Sequence, residues 1–493
     1  MEIPLAATPP ATARAAEVPS RFQPKRLLPY VLVSLLALVP CFWLPRIEAG
    51  DLASHTYNAW LASLVEQGKA PGLWIAHQNN NILFDLLLLR FGTVAGFAAA
   101  ERIAVGLAVL VLLWGAFALV SAAGGRPAWF LLPLLLMLSY GWTFHAGFFN
   151  FYLSLGFSFA ALAVVWRAQG LGYLWILPFV PLIWLAHPLG FSFFVAAAVY
   201  LYALKRFSSR LQLVLAGLAL AGMFVVHFYF AARYQVRFWQ GPSYALLGTD
   251  QVFLGASYRF LPLALGSAVI ACVALHFFRG PRPQASIAGF FPPFLQLYLL
   301  GFVALALLPD DISLAQYASP VDLICSRFTL AVAIFGCCVL TNLRPRLFFT
   351  LLSGVVALVF FGLAYRDAAK TYALEKQADF LVSRVPQDAR ILTTIYPFRG
   401  FRIFVHHVAD RACLGRCFNI DNYEPATGQF RLRAGPGNRI AAGWEDANHM
   451  MIGDYIVQAS DLPLWQIFQC GPTEVDLCLR PLGPGPLRSF PQR

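Results

Sequence analysis

Charged residues are scarce in this chain, and that scarcity limits the folds it can adopt. Asp, Glu, Lys and Arg make up 12% of its 493 residues, whereas a soluble domain normally carries about a quarter. Hydrophobic residues make up 59%. This composition excludes an ordinary soluble globular protein and predicts an α-helical polytopic membrane protein.

Recognisable cofactor motifs are also missing. No Walker loop, dinucleotide-binding glycine pattern or Ser/His/Asp order stands out, so the sequence does not support soluble-cofactor chemistry. The net charge of +12 does not predict a nucleic-acid partner, because the basic residues cluster at the joints between apolar runs. Lys and Arg retained on the cytoplasmic side of a membrane produce that pattern, and membrane lipids are the expected surroundings.

About eleven apolar runs come close to the roughly 20 residues that cross a bilayer. Residues 1–26, rich in Ala, Pro and Thr, predict a disordered cytoplasmic tail, and 27–365 a transmembrane domain. Charge counting then places the loop 46–81 on the outer face. The stretch 82–98 begins and ends on that face, which favours a re-entrant or interfacial segment. The predicted spans are 27–45, 103–123, 127–142, 150–167, 170–187, 188–204, 211–233, 260–279, 288–308, 328–343 and 346–365.

Residues 366–493 predict a small soluble α/β domain on the outer face, because charge, Gly and Pro all rise after Tyr365. Helical spacing runs from Asp367 to Val385, and 391–396 and 474–479 have strand composition.

Four cysteines of this region form two close pairs, Cys413/Cys417 and Cys470/Cys478. Disulfides in an oxidising compartment are favoured, because neither pair has the two-residue spacing of a zinc knuckle. A four-thiolate zinc site is the alternative.

The loop after the first apolar run carries Asp51 and, four residues later, His55. Apolar residues from Leu52 to Gln67 have helical spacing, so both side chains face the same way and Asp51 is a natural N-cap. A carboxylate at a membrane face can also take a proton from a hydroxyl group. Both interpretations of Asp51 stay open, and His55 is either its functional partner or a structural histidine.

Two further residues of the outer loop region are candidates for substrate binding. Asn80 lies in a run of three Asn residues, which forms either a simple turn or a row of amides for sugar hydroxyls. Asp85 lies among Leu and Phe, where a carboxylate is costly unless it is paired or hydrated. Arg90 is its candidate structural partner, and substrate binding is the alternative.

Polar residues also occur at other outer joints. His145, Asn150 and His187 lie there on the same predicted side as Asp51, which favours an outer cavity. Arg327, with Arg259 as second candidate, begins a span at that face. Each arginine is either a phosphate contact or an interfacial anchor.

Basic residues of the C-terminal domain include His406 and His407, and 422–425 follows the first cysteine pair. An ordinary solvated surface is favoured there. The alternative is that these residues cover a bound phosphate group or bind the acceptor.

The predicted layout is one span, an acidic outer loop containing Asp51, many further spans and an outer α/β domain. This layout resembles the GT-C superfamily of membrane glycosyltransferases. In that superfamily an acidic residue of the first outer loop is the base, and Asp51 is the matching position. The resemblance implies an inverting transferase of a bacterial-type inner membrane, with a polyprenyl-phosphate-linked sugar as donor and a glycan, lipid or protein as acceptor. Several GT-C families have two adjacent acidic residues, whereas Glu48 and Asp51 are separated by Ala-Gly. Whether a divalent metal is required therefore stays open.

Two other classes of protein remain. A transporter or flippase of a lipid-linked saccharide would use Asp51 and the outer histidines to bind substrate or relay protons. Repeated halves are typical of transporters, and the sequence shows no such repeat. A non-catalytic membrane assembly protein, with the outer domain binding a partner, is the third possibility.

Overall fold

The computed structural model describes residues 24–279, 292–341, 346–402 and 405–487, and helices predominate. Residues 1–23, most of the predicted disordered tail, lie outside the described residues. The helices are α1 Pro24–Leu38, α2 Leu52–Glu66, α3 Leu83–Ala95, α4 Phe97–Ala123, α5 Leu132–Ser139, α6 Trp142–Ala146, α7 Phe149–Arg167, α8 Phe179–Ala186, α9 Pro188–Leu204, α10 Ser209–Arg233, α11 Phe260–Arg279, α12 Pro293–Leu307, α13 Ile324–Leu340, α14 Arg346–Val382, α15 Asp410–Cys413, α16 Glu424–Thr427 and α17 Trp444–Ile452.

Each predicted span contains apolar helix, but the helices differ in length. Six are long and apolar enough to cross a membrane, and the other apolar helices have 10–17 residues. Membrane crossing stays a prediction for the long helices and for the shorter ones. The six are Phe97–Ala123, Trp129–Ala146, Phe149–Arg167, Ser209–Arg233, Ala256–Leu275 and Arg346–Val382.

The centre of the helical region is the contact between α4 and α7. Gly115 and Gly156 face each other there, and a Cβ on Gly115 would lie 2.1 Å from the Gly156 carbonyl oxygen. Small residues let two helix backbones approach this closely and gain van der Waals contact. The stretch 82–98 contains α3 and the start of α4. The chain turns between the two helices at Gly96, where φ is 84°.

Short strands join the loops and build the C-terminal sheet. They are β1 Leu73–Ile75, β2 Gln235–Phe238, β3 Pro309–Ser313, β4 Ala389–Thr394, β5 Cys417–Asn419, β6 Leu432–Ala434, β7 Ile456–Val457, β8 Trp465–Gln469, β9 Leu477–Pro481 and β10 Gly485–Pro486. The main sheet has the order β5-β4-β8-β9, with β4 parallel to β5 and β8, and β9 antiparallel to β8.

The predicted boundary at residue 366 lies inside a helix. Helix α14 continues without a break from Arg346 to Val382, so the helix predicted from Asp367 is the end of the last apolar helix. No Gly or Pro lies between Tyr365 and Pro386, and helix propagation is cooperative once it has started.

The C-terminal domain is joined to the loop after α1 by strand pairing and by a buried arginine. Strand β1 pairs with β6, and Leu73 lies opposite Ala434. Arg411 donates to Glu101 at 2.9 Å, to Glu375 and to the carbonyl oxygen of Ile47 at 2.7 Å. One buried guanidinium therefore connects α4, α14 and the loop before Asp51.

Both close cysteine pairs form disulfides, Cys413–Cys417 and Cys470–Cys478. The disulfide interpretation is thus confirmed over the zinc alternative. The other five cysteines are buried and free.

Candidate active site

The turn that carries Asp51 rests on the end of α6. The backbone N–H groups of Gly50 and Asp51 donate to the carbonyl oxygens of His145 and Ala146 at 2.7 and 3.0 Å. Gly147 follows with φ of +90°, and a Cβ there would lie 2.4 Å from the Asp51 nitrogen. Only glycine therefore allows the two segments to meet this closely.

Helix α2 begins at Leu52, as its apolar spacing predicts, and Asp51 occupies the N-cap position. However, the Asp51 backbone is in the α region and its side chain makes no capping hydrogen bond. Capping side chains normally require a more extended backbone at that position. The capping interpretation is therefore wrong, and the carboxylate is available to other groups.

His55 lies one turn along α2 and contacts a carboxylate of α3. Its Nδ1 is 2.7 Å from Oδ1 of Asp85, while Oδ2 of Asp85 accepts from Asn150 Nδ2 at 3.0 Å. Burial lowers the pKa of His55, but the charge and hydrogen bond of Asp85 more than offset this, and the pKa is raised to about 9. The imidazole is therefore a cation at neutral pH.

The predicted pairing of Asp85 with Arg90 is wrong. Asp85 forms its ion pair with His55, and Arg90 is exposed. Residues five apart in an α-helix point about 140° away from each other, so the two side chains of α3 lie on different faces.

The C-terminal domain reaches α2 through Glu424. Its two carboxylate oxygens accept hydrogen bonds from Ser54 Oγ and Asn58 Nδ2, both at 2.7 Å. Asn422 Nδ2 also donates to Ser54 Oγ, at 2.9 Å. Burial raises the pKa of Glu424, and the positive charge of His55 opposes that rise. The favoured interpretation of 422–425 as solvated surface is therefore wrong, because Asn422 and Glu424 are buried and hydrogen-bonded to α2.

Arg327 lies in the first turn of α13. Its guanidinium carbon is 3.9 Å from the centre of the Phe148 ring, and Nη2 is 3.5 Å from Oδ1 of Asp322. Its Nε is buried and has no hydrogen-bond partner within the described part of the chain. A stacked guanidinium with an unused donor is suited to binding a carboxylate or a phosphate.

The Asp51 carboxylate lies among three cationic side chains. Burial raises its pKa above the ordinary value, and the charges of His407, His55 and Arg327 oppose that rise. A carboxyl group whose pKa is raised is a stronger base than an exposed one once it is ionised. We call this group the Asp51 cluster; its members are Asp51, His55, Asp85, Arg327, His407 and Glu424.

His145 and Asn150 lie at the edge of the Asp51 cluster, and their location on the outer face stays a prediction. Asn150 orients Asp85, as described above. His145 lines a cavity of about 20 Å³ together with Gly50 and His407, and its Nε2 has no partner among the residues that the structure describes. A polar cavity of this volume has room for one water molecule.

Two other predicted site residues, Asn80 and Arg259, make their contacts outside the Asp51 cluster, and His187 is linked to the cluster through the charge of Arg327. The Asn80 side chain meets that of Asn79 at 3.5 Å on the surface. Arg259 is exposed and stacks on the aromatic ring of the next residue, in keeping with the anchor alternative. His187 accepts a hydrogen bond from the Leu189 nitrogen at 3.1 Å and so caps α9.

Two residues that contact the Asp51 cluster, Ser54 and Asn58, were not predicted from the sequence. Both are ordinary polar residues of an amphipathic helix. Only the spacing of Ser54 and Asn58, one turn apart on the same helix, could have indicated that α2 presents a polar face to a partner.

No three His, Cys, Asp or Glu side chains are grouped so as to hold a metal ion in residues 24–279, 292–341, 346–402 and 405–487. The divalent metal left open by the sequence therefore has no candidate site within these ranges.

Comparison of the chain with protein-family models, with curated proteins and with solved structures finds no match in any of the three.

Proposed function

We propose that this chain is a membrane glycosyltransferase that moves a sugar from a polyprenyl-phosphate donor to an acceptor hydroxyl, with Asp51 as general base. The protein spans an inner membrane many times, with the N-terminus in the cytoplasm and the C-terminal domain outside. The two disulfides of that domain support this orientation, because disulfides persist in oxidising compartments.

The observation that carries the proposal is the environment of Asp51. A carboxylate without a capping role lies within the electrostatic reach of two imidazoles and a guanidinium. A carboxylate can remove a proton as a base, and nearby cations can stabilise negative charge that develops in the same reaction. Glycosyl transfer from a lipid phosphate is such a reaction.

In the proposed reaction, the acceptor oxygen attacks the anomeric carbon of the sugar and Asp51 takes the hydroxyl proton. The bond between the anomeric carbon and the phosphate oxygen breaks, and its electron pair leaves with the polyprenyl phosphate. Attack from the opposite side inverts the configuration. His55, a cation because of Asp85, favours the ionised form of Asp51 before the reaction begins.

Arg327 is the proposed phosphate contact. Its unused Nε donor and its position close to Asp51 allow it to bind the phosphate on one side of the reacting bond. A guanidinium binds phosphate oxygens in a fixed geometry and retains its charge at every relevant pH.

An apolar cavity of about 450 Å³ provides space for the polyprenyl tail. It is lined by residues of α5, α11, α12 and α13, including Leu138, Val269 and Leu340, and by Thr249 and Val252. Helix α13 begins near Arg327 and lines the cavity from Ala333 onward, which suits a lipid whose phosphate lies at that arginine.

The test uses purified protein in lipid nanodiscs with radiolabelled polyprenyl-phosphate sugars and a panel of glycan, lipid and protein acceptors. Loss of a general base lowers turnover by about 10²–10⁴-fold, so we expect Asp51→Asn to do so with little change in thermal unfolding. Asp454→Asn is the control, because Asp454 pairs with His449 on the exposed surface.

Transfer that is unaffected by Asp51→Asn would remove the catalytic assignment. Movement of the labelled lipid across a vesicle membrane, with no sugar transferred, would instead support a flippase or transporter.

A further inference from the structure

His407 is the second imidazole of the Asp51 cluster, and it comes from the C-terminal domain. Its side chain is 4% exposed, and its Nδ1 lies 3.2 Å from Oδ2 of Asp410, which is fully buried. No step of the proposed reaction uses this pair, although buried His–Asp pairs are costly unless they are satisfied or functional.

Asp410 is fixed by two amide side chains. Asn419 Nδ2 donates to Oδ1 at 2.5 Å, and Asn422 Nδ2 donates to Oδ2 at 2.8 Å. Because Nδ1 of His407 faces Asp410, Nε2 on the opposite side of the ring points away from it. His407 and Gly50 line the same small cavity, so the imidazole borders the turn that carries Asp51.

The charged groups around His407 favour its protonated form. Burial lowers its pKa, but the hydrogen bond and charge of Asp410, together with Asp51 and Glu424, raise it to about 9. The Tyr423 ring packs 6.0 Å away, and His406 and Asp421 also interact with the charge of His407. Other titratable residues line the same small cavity: Glu48, His145, Tyr258, Asp367 and Glu375. An imidazole that is already protonated cannot act as a base at neutral pH, but it can donate a hydrogen bond to an anion.

We infer that His407 is a catalytic residue whose Nε2–H donates to the phosphate of the polyprenyl donor, opposite Arg327, with Asp410 as its positioning residue. This inference rests on the proposed function. As the bond from the anomeric carbon to oxygen breaks, its electron pair passes to the phosphate oxygen, and the imidazolium stabilises the developing charge without giving up its proton. The C-terminal domain thereby supplies part of the active site.

The test measures binding of undecaprenyl phosphate, the reaction product without a sugar, to the full-length protein in nanodiscs at pH 7. A charge-assisted hydrogen bond of about 1.5–3 kcal/mol corresponds to roughly a 10- to 150-fold change in affinity. We expect His407→Gln to weaken binding within that range, and Asp410→Asn to weaken it less. The exposed pair supplies matched controls, His449→Gln and Asp454→Asn, which should bind as the wild type does.

A second readout does not depend on the variants folding. In wild-type protein labelled with 15N-histidine, added undecaprenyl phosphate should shift the His407 imidazolium resonance and leave that of His449 unchanged. Turnover should also fall in His407→Gln, with a larger effect on kcat than on KM.

The outcomes separate this inference from the proposed function. Wild-type protein that binds no polyprenyl phosphate would overturn the proposed function and this inference together. Wild-type binding that equals His407→Gln binding, or a His407 resonance that does not respond to the lipid, would overturn the role of His407 alone.

Discussion

The positive charge of His55 depends mainly on one carboxylate. Asp85 lies 2.7 Å from its Nδ1 and, with smaller contributions from Glu424 and Asp51, offsets the burial that lowers the pKa of His55. We expect Asp85→Asn to make His55 neutral at pH 7 and to reduce glycosyl transfer by about tenfold or more. NMR titration of the labelled histidines checks the charge, and Asp454→Asn, beside the exposed His449, should leave both quantities unchanged.

The same variant has a predictable effect on stability. The folded-state pKa of His55 is raised to about 9, so the pair stabilises the fold fully below pH 6.5, and the stabilisation is lost as the pH rises through 9. A shift of this size corresponds to about 3 kcal/mol. We expect the wild-type unfolding temperature to decline between pH 6.5 and 9, and this decline to be smaller in Asp85→Asn. An equal decline in both proteins would contradict the prediction.

Gly147 is required where the Asp51 turn meets α6. In Gly147→Ala the new Cβ would lie 2.4 Å from the Asp51 nitrogen, so the turn must move, and left-handed backbone adds about 1–2 kcal/mol for any residue with a Cβ. We expect this variant to lose transfer activity as well as stability. Gly68→Ala is the control, because Gly68 also has positive φ (71°) but nothing lies within 4 Å of its Cβ position.

Equal losses of activity in the two glycine variants would show that backbone strain, and not displacement of Asp51, is responsible. Thermal unfolding of both proteins measures the strain that they share.

At the scale of elements, the Cys413–Cys417 disulfide links two short segments that hold His407. Helix α15 ends at Cys413 and begins with Asp410, while β5 begins at Cys417 and ends with Asn419. The Asp410–Asn419 hydrogen bond therefore spans the disulfide-closed loop. We expect the double change Cys413→Ser and Cys417→Ser to lower kcat by about tenfold or more, because small displacements of positioning groups are costly.

The second disulfide is a matched control for the first. Cys470–Cys478 joins β8 to β9 at the edge of the main sheet, away from His407. The double change Cys470→Ser and Cys478→Ser should reduce thermal stability and leave kcat within about twofold of wild type. Equal kcat in the two double variants would rule out a positioning role for Cys413–Cys417.

Most elements could be predicted from the sequence, because apolar runs and strand composition are local patterns. The strand expected at 391–396 is β4, Ala389–Thr394, and the one expected at 474–479 is β9, Leu477–Pro481. The lengths were less predictable. Residues 170–187 contain a 3₁₀ segment before α8, because such a transition depends on packing rather than on composition.

Across the whole molecule, Arg411 joins the C-terminal domain to the apolar helices. It is 5% exposed and faces Glu101 and Glu375, so its removal would leave the buried Glu101 without its ion-pair partner and Glu375 paired with Arg46. Breaking a buried ion pair costs about 3–5 kcal/mol, and we expect Arg411→Met to unfold at a markedly lower temperature. It should also expose the 383–390 region to protease.

The control for Arg411→Met is Arg366→Met. Arg366 pairs with Asp367 but is 57% exposed, and exposed ion pairs contribute about 0–1 kcal/mol. If the two variants unfold at the same temperature, Arg411 does not hold the domain in place.

Members of the Asp51 cluster could be predicted only where polar residues interrupt apolar sequence. Asp51, Asp85 and Arg327 are conspicuous for that reason, since a charge in an apolar run is costly. His407 and Glu424 lie among other polar residues, and nothing local distinguishes a buried histidine from an exposed one such as His449. Their burial results from contacts with α2, more than 300 residues earlier in the chain, which sequence patterns do not report.

The hydrogen bond between Ser54 and Glu424 joins residues 370 positions apart, and this separation has a consequence for biosynthesis. At roughly 5–20 residues per second, the ribosome makes Ser54 about 20 to 70 seconds before it makes Glu424. During that interval α2 is already outside the ribosome without its partner. A nascent or prematurely terminated chain would therefore hold the Asp51 carboxylate but lack His407 and Glu424, so the Asp51 cluster is complete only after residue 424 has been synthesised.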